Sequence, residues 1–212
     1  MARIVGLQPR RTPVQDRSLV TVQAILEAAA QVFERYGYAA GTTNRIAERA
    51  GVSIGSLYQY FPNKDAILVA LVRRHVAEGT AILWPHVERL QAGGSLDDVI
   101  EDVVAAMVAL HAIAPRLHRV LFEETPLPTE LRSELDAMED ALVEILAGSL
   151  RATDEIVGTD LYVAARMIVG SVEGLTHRLV LRPPDGASTD VIATEITTLI
   201  RAYLRGLRSD PV

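Results

Sequence analysis

The chain has 212 residues, of which 49% are hydrophobic and only 5% aromatic, so its core must consist mainly of Ala, Val, Leu and Ile. It contains no cysteine, which excludes disulfides, thiolate metal ligands and a cysteine nucleophile. The net charge of -6 is unevenly distributed: residues 1–75 hold 10 Lys or Arg against 5 Asp or Glu, and the rest hold 11 against 22.

No stretch of the sequence fits a membrane span. The longest apolar run, Val103 to Leu110, is far shorter than the roughly 18 residues that such a span needs. Residues 1–15 lack the apolar segment of a signal peptide. We therefore expect a cytoplasmic protein with no membrane partner.

The N-terminal region changes from an irregular segment to a helix. Residues 1–16 contain three arginines and two prolines without periodicity, which predicts a flexible basic arm. From Ser18 the apolar residues recur at steps of three and four, which predicts an amphipathic helix that ends at Gly37.

Two short helices follow. The second helix starts near Thr43 and ends at Gly51 after about two turns. A third is capped by Ser53 and ends near Tyr60, and a fourth begins at Lys64. Together with the first helix, these make three helices before Lys64.

The second and third helices have the pattern of a helix-turn-helix. Ala47 is small enough to let two steeply crossing helices approach, and Gly51 provides the turn. The residues expected to face inward are Ile46, Ala50, Val52, Leu57 and Tyr60. The outward face of the third helix holds short or hydrogen-bonding groups suited to base edges and phosphates: Ile54, Gly55, Ser56, Tyr58 and Gln59.

Beyond Lys64 every periodic segment is helical, and none alternates as a strand does. The sequence therefore predicts an all-α protein. Breaks are expected at Trp84-Pro85, Gly93-Gly94, residues 126–128, Gly158 and residues 183–186. The predicted helices span about residues 64–82, 95–113, 116–123, 129–151, 159–181 and 189–206.

Two stretches of residues 17–71 resemble the DNA-binding domain of the TetR family. They read ILEAAAQVFERYGY in the first helix and TTNRIAERAGVSIGSLYQYFPNKDAIL after it. The ending Tyr-x-Tyr-Phe-x-Asn-Lys is specific to that family among helix-turn-helix proteins. The resemblance implies a DNA-binding domain at residues 17–64 behind the arm at 1–16. It also implies a helical effector-binding and dimerisation domain at residues 65–212.

The resemblance also implies roles for individual residues. Thr43 and Lys64, the only lysine, would hold phosphates, with Lys64 at a helix N-terminus. Tyr58 and Tyr60 would flank the DNA backbone. The predicted DNA-binding residues are Thr43, Ser53, Ile54, Gly55, Ser56, Tyr58, Gln59, Tyr60 and Lys64. Arg45 and Arg49, on the exposed side of the second helix, are further candidates for phosphate contacts.

Nothing in the sequence predicts a metal site, a cofactor or an enzyme. His111 and His118 are separated by Pro115, so they do not share one helix face. The acidic cluster at residues 97–102 opens a helix, where carboxylates complement the helix dipole. No nucleophile with a base, phosphate loop or metal-ligand spacing is present.

The resemblance places a small-molecule effector in the body behind the DNA-binding domain. Large or adaptable side chains suit a cavity for an apolar ligand. The candidates for lining it are Trp84, Met107, His111, Phe122, Met138 and His177.

The helix at residues 159–181 predicts a dimer because it is apolar on two sides. One stripe, from Leu161 to Leu179, can face the chain's own core, so the second stripe needs another cover. The last helix adds a further stripe, and the resemblance implies a four-helix bundle between two chains. The predicted interface residues are Met167, Gly170, Gly174, Leu181, Ile196, Leu199 and Tyr203.

Together with the resemblance to the TetR family, these patterns predict a homodimeric transcriptional repressor that binds a palindromic double-stranded DNA operator and is released by a small apolar effector. One alternative is a ligand-dependent activator. Another is an all-α enzyme, in which the basic N-terminal segment would have no evident purpose.

Overall fold

The computed structural model describes residues 16–125, 127–152 and 160–208, with side chains from Ser18 onward. These residues form nine helices and no strand, which confirms the predicted all-α fold for this part of the chain. Residues 1–15 of the predicted arm (1–16) and the break at Gly158 lie outside the described residues, and the prediction is wrong at Asp16, which is helical. The helices are α1 (Asp16–Ala40), α2 (Thr43–Ala50), α3 (Ile54–Tyr60), α4 (Lys64–Gln91), α5 (Leu96–Ile113), α6 (Pro115–Phe122), α7 (Thr129–Ala152), α8 (Leu161–Leu181) and α9 (Thr189–Leu207).

Helix α1 is interrupted where the sequence predicts its end. Gly37 has φ 73° and ψ 173°, outside the helical region, and a short helical segment continues to Ala40. A positive φ is tolerated best by glycine, which has no Cβ to collide with the backbone. The chain therefore changes direction at Gly37 before α2 begins.

The predicted break at Trp84-Pro85 is wrong. Helix α4 continues through Pro85 to Gln91. Proline has no N–H to donate to the carbonyl of Ala81, one turn earlier. Both Pro85 and Ala81 are exposed, so solvent can reach that region of the helix. An exposed proline is therefore a weaker helix terminator than its residue type suggests.

The chain divides into two compact units. The first comprises residues up to 77 together with 116–128. Within it α1 packs against α2, and α2 packs against α3. Its completely buried side chains include those of Ile25, Phe33, Ile46, Leu57, Phe61, Ile67 and Val72.

The second unit comprises residues 78–115 and those from 129 onward. Helix α8 is its central element, because it packs against α5, α7 and α9, while α5 also packs against α9. The core between them is aliphatic and includes Val104, Val143, Leu150, Ile168, Ile196, Ile200 and Leu204. None of the described helices of either unit combines the length and hydrophobicity needed to cross a membrane.

Candidate nucleic-acid interface

Helices α2 and α3 are fixed at their ends by short polar groups. The hydroxyl of Thr42 accepts a hydrogen bond from the N–H of Arg45, and Ser53 does the same for Ser56 at 3.0 Å. Between them Gly51 adopts φ 68° and ψ 26°, and the N–H of Val52 donates to the carbonyl of Ala47 at 3.0 Å. The turn of the helix-turn-helix is therefore set by its capping residues and by one left-handed glycine.

The inward face of this motif is anchored in the first unit. Ile46, Ala47 and Leu57 are buried, as the pattern predicts, and Phe61 is buried beside them. Ala50, Val52 and Tyr60 are only half-buried. The anchors hold α3 with its opposite side directed to solvent.

The solvent side of α3 carries the residues predicted to meet DNA. Ile54, Gly55, Tyr58 and Gln59 are exposed. Ser56 is half-buried, and its hydroxyl lies 2.8 Å from that of Ser53, which also caps the helix. A convex helix face with such groups matches the width of a major groove.

A hydrogen bond joins the two helices on this side. The hydroxyl oxygens of Thr43 and Tyr58 are 3.0 Å apart. Both groups belong to the predicted DNA-binding set, so the first residue of α2 and the middle of α3 present adjacent hydroxyls. Because one hydroxyl donates to the other, the pair keeps one proton that it can donate to a phosphate oxygen of a DNA backbone.

Lys64 is held by the end of α1. Its Nζ donates to the carbonyl of Tyr38 at 2.6 Å and to that of Ala39 at 3.5 Å, and lies 3.9 Å from the centre of the Tyr38 ring. An ammonium group has three donors, which leaves one for a phosphate. The lysine is therefore also a structural link between α4 and α1.

Tyr38 was not predicted as part of this arrangement. Its hydroxyl donates to Asp65, and burial together with that hydrogen bond raises the pKa of Tyr38 well above its usual value. Tyr38 ends the first-helix motif, but 26 residues separate it from Lys64, so the sequence gives no sign that they meet.

The two arginines of α2 are also positioned by neighbours. The guanidinium of Arg45 lies 4.4 Å from the centre of the Tyr36 ring and donates to the carbonyl of Ala40 at 3.2 Å. Arg49 donates from Nε to Oε1 of Gln31 at 2.5 Å. Both arginines are exposed, so they keep further donors for an anionic partner.

Three of the six predicted effector-pocket residues lie together in the second unit. The rings of His111 and His177 are 4.8 Å apart, which joins α5 to α8. The carbonyl of Met107 accepts a hydrogen bond of 2.7 Å from Nδ1 of His111. Burial lowers the pKa of His111, so its imidazole is neutral near pH 7.

The other three predicted pocket residues are placed differently. Trp84 and Met138 are exposed rather than enclosed. Phe122 belongs to the first unit, where its ring stacks on that of His118 at 4.5 Å. Size and polarisability alone do not reveal which face of a helix a side chain occupies.

Three of the four predicted interface residues of α8, Met167, Gly170 and Gly174, lie on its open side. Met167 is 54% exposed, Gly170 and Gly174 are exposed, and a Cβ built on either glycine meets no atom within 4 Å. The opposite stripe, including Ala165 and Ile168, is in the core. Within the single chain, α8 therefore has one stripe in the core and another on its exposed side.

On α9 the predicted stripe is divided. Leu199 is 52% exposed, but Ile196 is only 1% exposed and lies in the core of the unit. The prediction that Ile196 lies in the dimer interface is wrong. Helix α9 packs against both α5 and α8, so its buried face is broader than one stripe. Tyr203 and Leu181 are half-buried.

Two family models match the sequence. Residues 25–71 match the model described as bacterial regulatory proteins, tetR family. Residues 95–204, more than half of the chain, match the model of the tetracyclin repressor-like C-terminal domain.

Curated relatives match parts of the chain. The fatty acid metabolism regulator protein of Bacillus subtilis is 27% identical over 160 residues, which cover 70% of this chain and 78% of that protein. A helix-turn-helix transcriptional repressor of Mycobacterium tuberculosis is 30% identical over 106 residues, 49% of this chain and about half (51%) of the repressor.

Solved structures share the fold. The regulator FadR of Bacillus subtilis, in complex with stearoyl-CoA, has 23% identity and a TM-score of 0.66 over 84% of this chain and 96% of its own. NalD of Pseudomonas aeruginosa, the secondary repressor of a multidrug efflux pump, has 21% identity and a TM-score of 0.71 over 93% of this chain and 100% of its own.

Proposed function

Because the chain belongs to the TetR family of bacterial regulatory proteins and is a ligand-responsive DNA-binding repressor of that kind, we propose that it acts as a cytoplasmic homodimer on a palindromic operator. A small apolar effector then releases it. In this proposal residues 1–15 are an arm, residues 16–64 read DNA, and residues 65–212 bind the effector and the second chain. The observation that carries the proposal is the open face of α3 above a fully buried Leu57.

The DNA contacts are proposed by position on that face. Gln59, Ser56, Gly55 and Ile54 would face base edges, because they lie on the solvent side or at the start of α3. The remaining predicted residues would hold or flank phosphates, and they are Thr43, Ser53, Tyr58, Tyr60 and Lys64. Of these, the Thr43–Tyr58 hydroxyl pair offers the most defined phosphate site.

The dimer is proposed from the open side of α8. Val163 and Met167 are apolar and more than half exposed, in line with Gly170 and Gly174. The glycines allow two helices to approach closely, and Leu199 of α9 adds an exposed apolar side chain. A symmetric pair would place two DNA-binding domains on half-sites about 34 to 36 Å apart.

The effector is proposed from the fold and from the relatives. The matched Bacillus subtilis structure contains stearoyl-CoA, and the second unit of this chain has an aliphatic core. An apolar compound that binds this unit would release DNA by favouring a form whose DNA-binding domains no longer fit both half-sites. A near-complete switch needs a preference on the order of 5 kcal/mol for the released form.

We expect this acidic protein to bind duplex DNA with an affinity that falls as salt rises, because its positive charge is concentrated in residues 1–75. A gel shift against the DNA upstream of its own gene, at several salt concentrations and with and without apolar compounds, measures this. An affinity that is the same at low and moderate salt would contradict the proposed DNA-binding surface.

Two substitutions should separate phosphate contacts from base contacts. Lys64→Ala should weaken binding to all DNA sequences alike, by about three- to tenfold, because a phosphate contact carries no sequence information. Gln59→Ala should instead change the preference among operator variants by about tenfold or more. Binding of both variants to a panel of operator mutants tests this. A changed sequence preference in Lys64→Ala would reverse the two assignments.

A further inference from the structure

The second unit buries few polar side chains. Those buried among its described residues are His111, Thr176 and Thr197. Thr176, on α8, is 0% exposed, and its hydroxyl oxygen has no hydrogen-bond partner in the described part of the chain. A buried hydroxyl without a partner is destabilising, and a valine of the same shape would avoid that cost. The threonine therefore points to a role other than packing.

Two imidazoles lie at the same end of α8. His177 follows Thr176 directly, and its ring is in contact with that of His111 from α5. A carbonyl can only accept a hydrogen bond, so the Met107 carbonyl fixes the proton of the neutral His111 ring on Nδ1. Nε2 of His111 is then an acceptor. The polar groups at this end of α8 thus include a hydroxyl, which both donates and accepts, and a neutral imidazole.

The surrounding charges disfavour an anion. No lysine or arginine is among the buried side chains of this unit's described residues. Glu173 lies one helical turn before His177, and partial desolvation together with the neighbouring Glu139 raises its pKa. A carboxylate bound beside the buried Thr176 would meet no buried cation among the described residues of this unit.

This inference rests on the proposed function and concerns the polar part of the effector. We propose that Thr176, with His177 and His111, binds an uncharged hydrogen-bonding group on an otherwise apolar effector: an ester, thioester, amide or hydroxyl. The bound group supplies the hydrogen bond that the Thr176 hydroxyl lacks. The same site discriminates against a free carboxylate of equal chain length, because the carboxylate would lose its hydration without gaining a positive partner.

The test is a calorimetric titration of the full chain with matched compounds below their micelle concentrations. The series is dodecanoic acid, its methyl ester, its primary amide, dodecan-1-ol and dodecan-1-amine. We expect the ester, amide or alcohol to bind at least about tenfold tighter than the acid and the amine, because burial of an uncompensated charge is costly. The inference is overturned if the acid or the amine binds most tightly, or if no member of the series binds.

Thr176→Val separates recognition from packing. It should weaken binding of the preferred neutral compound by about three- to tenfold, as expected for one lost hydrogen bond, and leave the melting temperature unchanged or raise it. Thr197→Val, the same change at the buried threonine of α9, should leave that affinity unchanged. A Thr176→Val protein with normal affinity, or with a lower melting temperature, contradicts the inference.

A gel shift on the same preparations keeps the two proposals apart. If the unsubstituted chain does not bind DNA, the proposed function itself is overturned. Normal DNA binding without selectivity for neutral compounds would overturn only the assignment of Thr176.

Discussion

Gly174→Arg is expected to give a folded monomer whose operator binding is at least about a hundredfold weaker than that of the unsubstituted protein. A Cβ at this exposed position of α8 meets no atom within 4 Å, so the arginine does not disturb its own chain. In the proposed dimer it would place a large charged group between two closely packed helices. One DNA-binding domain alone would then lose the gain from a second half-site, typically 10² to 10⁴ in affinity.

Sedimentation velocity and an operator titration measure the two effects together. Gly148→Arg is the matched control, because Gly148 is also an exposed helical glycine with nothing within 4 Å of a new Cβ, but lies on α7. That variant should remain a dimer and bind DNA normally. A Gly174→Arg protein that still sediments as a dimer would place the interface elsewhere.

Most of the helices could be predicted because local rules determine them. Hydrophobic steps of three and four define α1, and the caps at Thr42 and Ser53 together with Gly51 define α2 and α3 within one or two residues. The solvent side of α3 also follows from spacing, because a helix fixes which residues share a face once one side has an apolar anchor such as Leu57.

The predictions that failed, and the contacts that were missed, depend on information that residue spacing does not contain. Pro85 continues a helix because its position is exposed, and exposure depends on what packs around α4. Ile196 is buried because two neighbouring helices cover α9. Only the three-dimensional packing brings Lys64 to Tyr38. The packing also leaves the Thr176 hydroxyl without a hydrogen-bond partner among the described residues. Tertiary contacts of this kind are decided by all the elements around a residue, not by its neighbours in sequence.

The position of α3 depends on the close approach of Gly41 to Phe33 at the end of α1. We expect Gly41→Ala to lower the free energy of unfolding by about 1 to 3 kcal/mol, the usual cost of overpacking a filled core. A Cβ at Gly41 would lie 2.5 Å from Cδ1 and 2.8 Å from Cε1 of Phe33, and 2.9 Å from the carbonyl oxygen of Gly37. The Phe33 ring is completely buried and packs 5.6 Å from the ring of Tyr38, so it has little room to move.

Guanidinium unfolding of both proteins at equal concentration measures the loss, since the stability of a dimer depends on protein concentration. Gly55→Ala is the control for the same chemical change: its new Cβ would lie 3.8 Å from the Ser53 hydroxyl oxygen, an ordinary contact, and alanine favours a helix more than glycine does. Its stability should stay the same or rise. Gly41→Ala should also weaken DNA binding, because displacement of Phe33 would disturb Tyr38, which holds Lys64 at the start of α4. A Gly41→Ala protein within about 0.5 kcal/mol of the parent, the usual range for a surface substitution, would mean that Phe33 and the end of α1 can shift without cost.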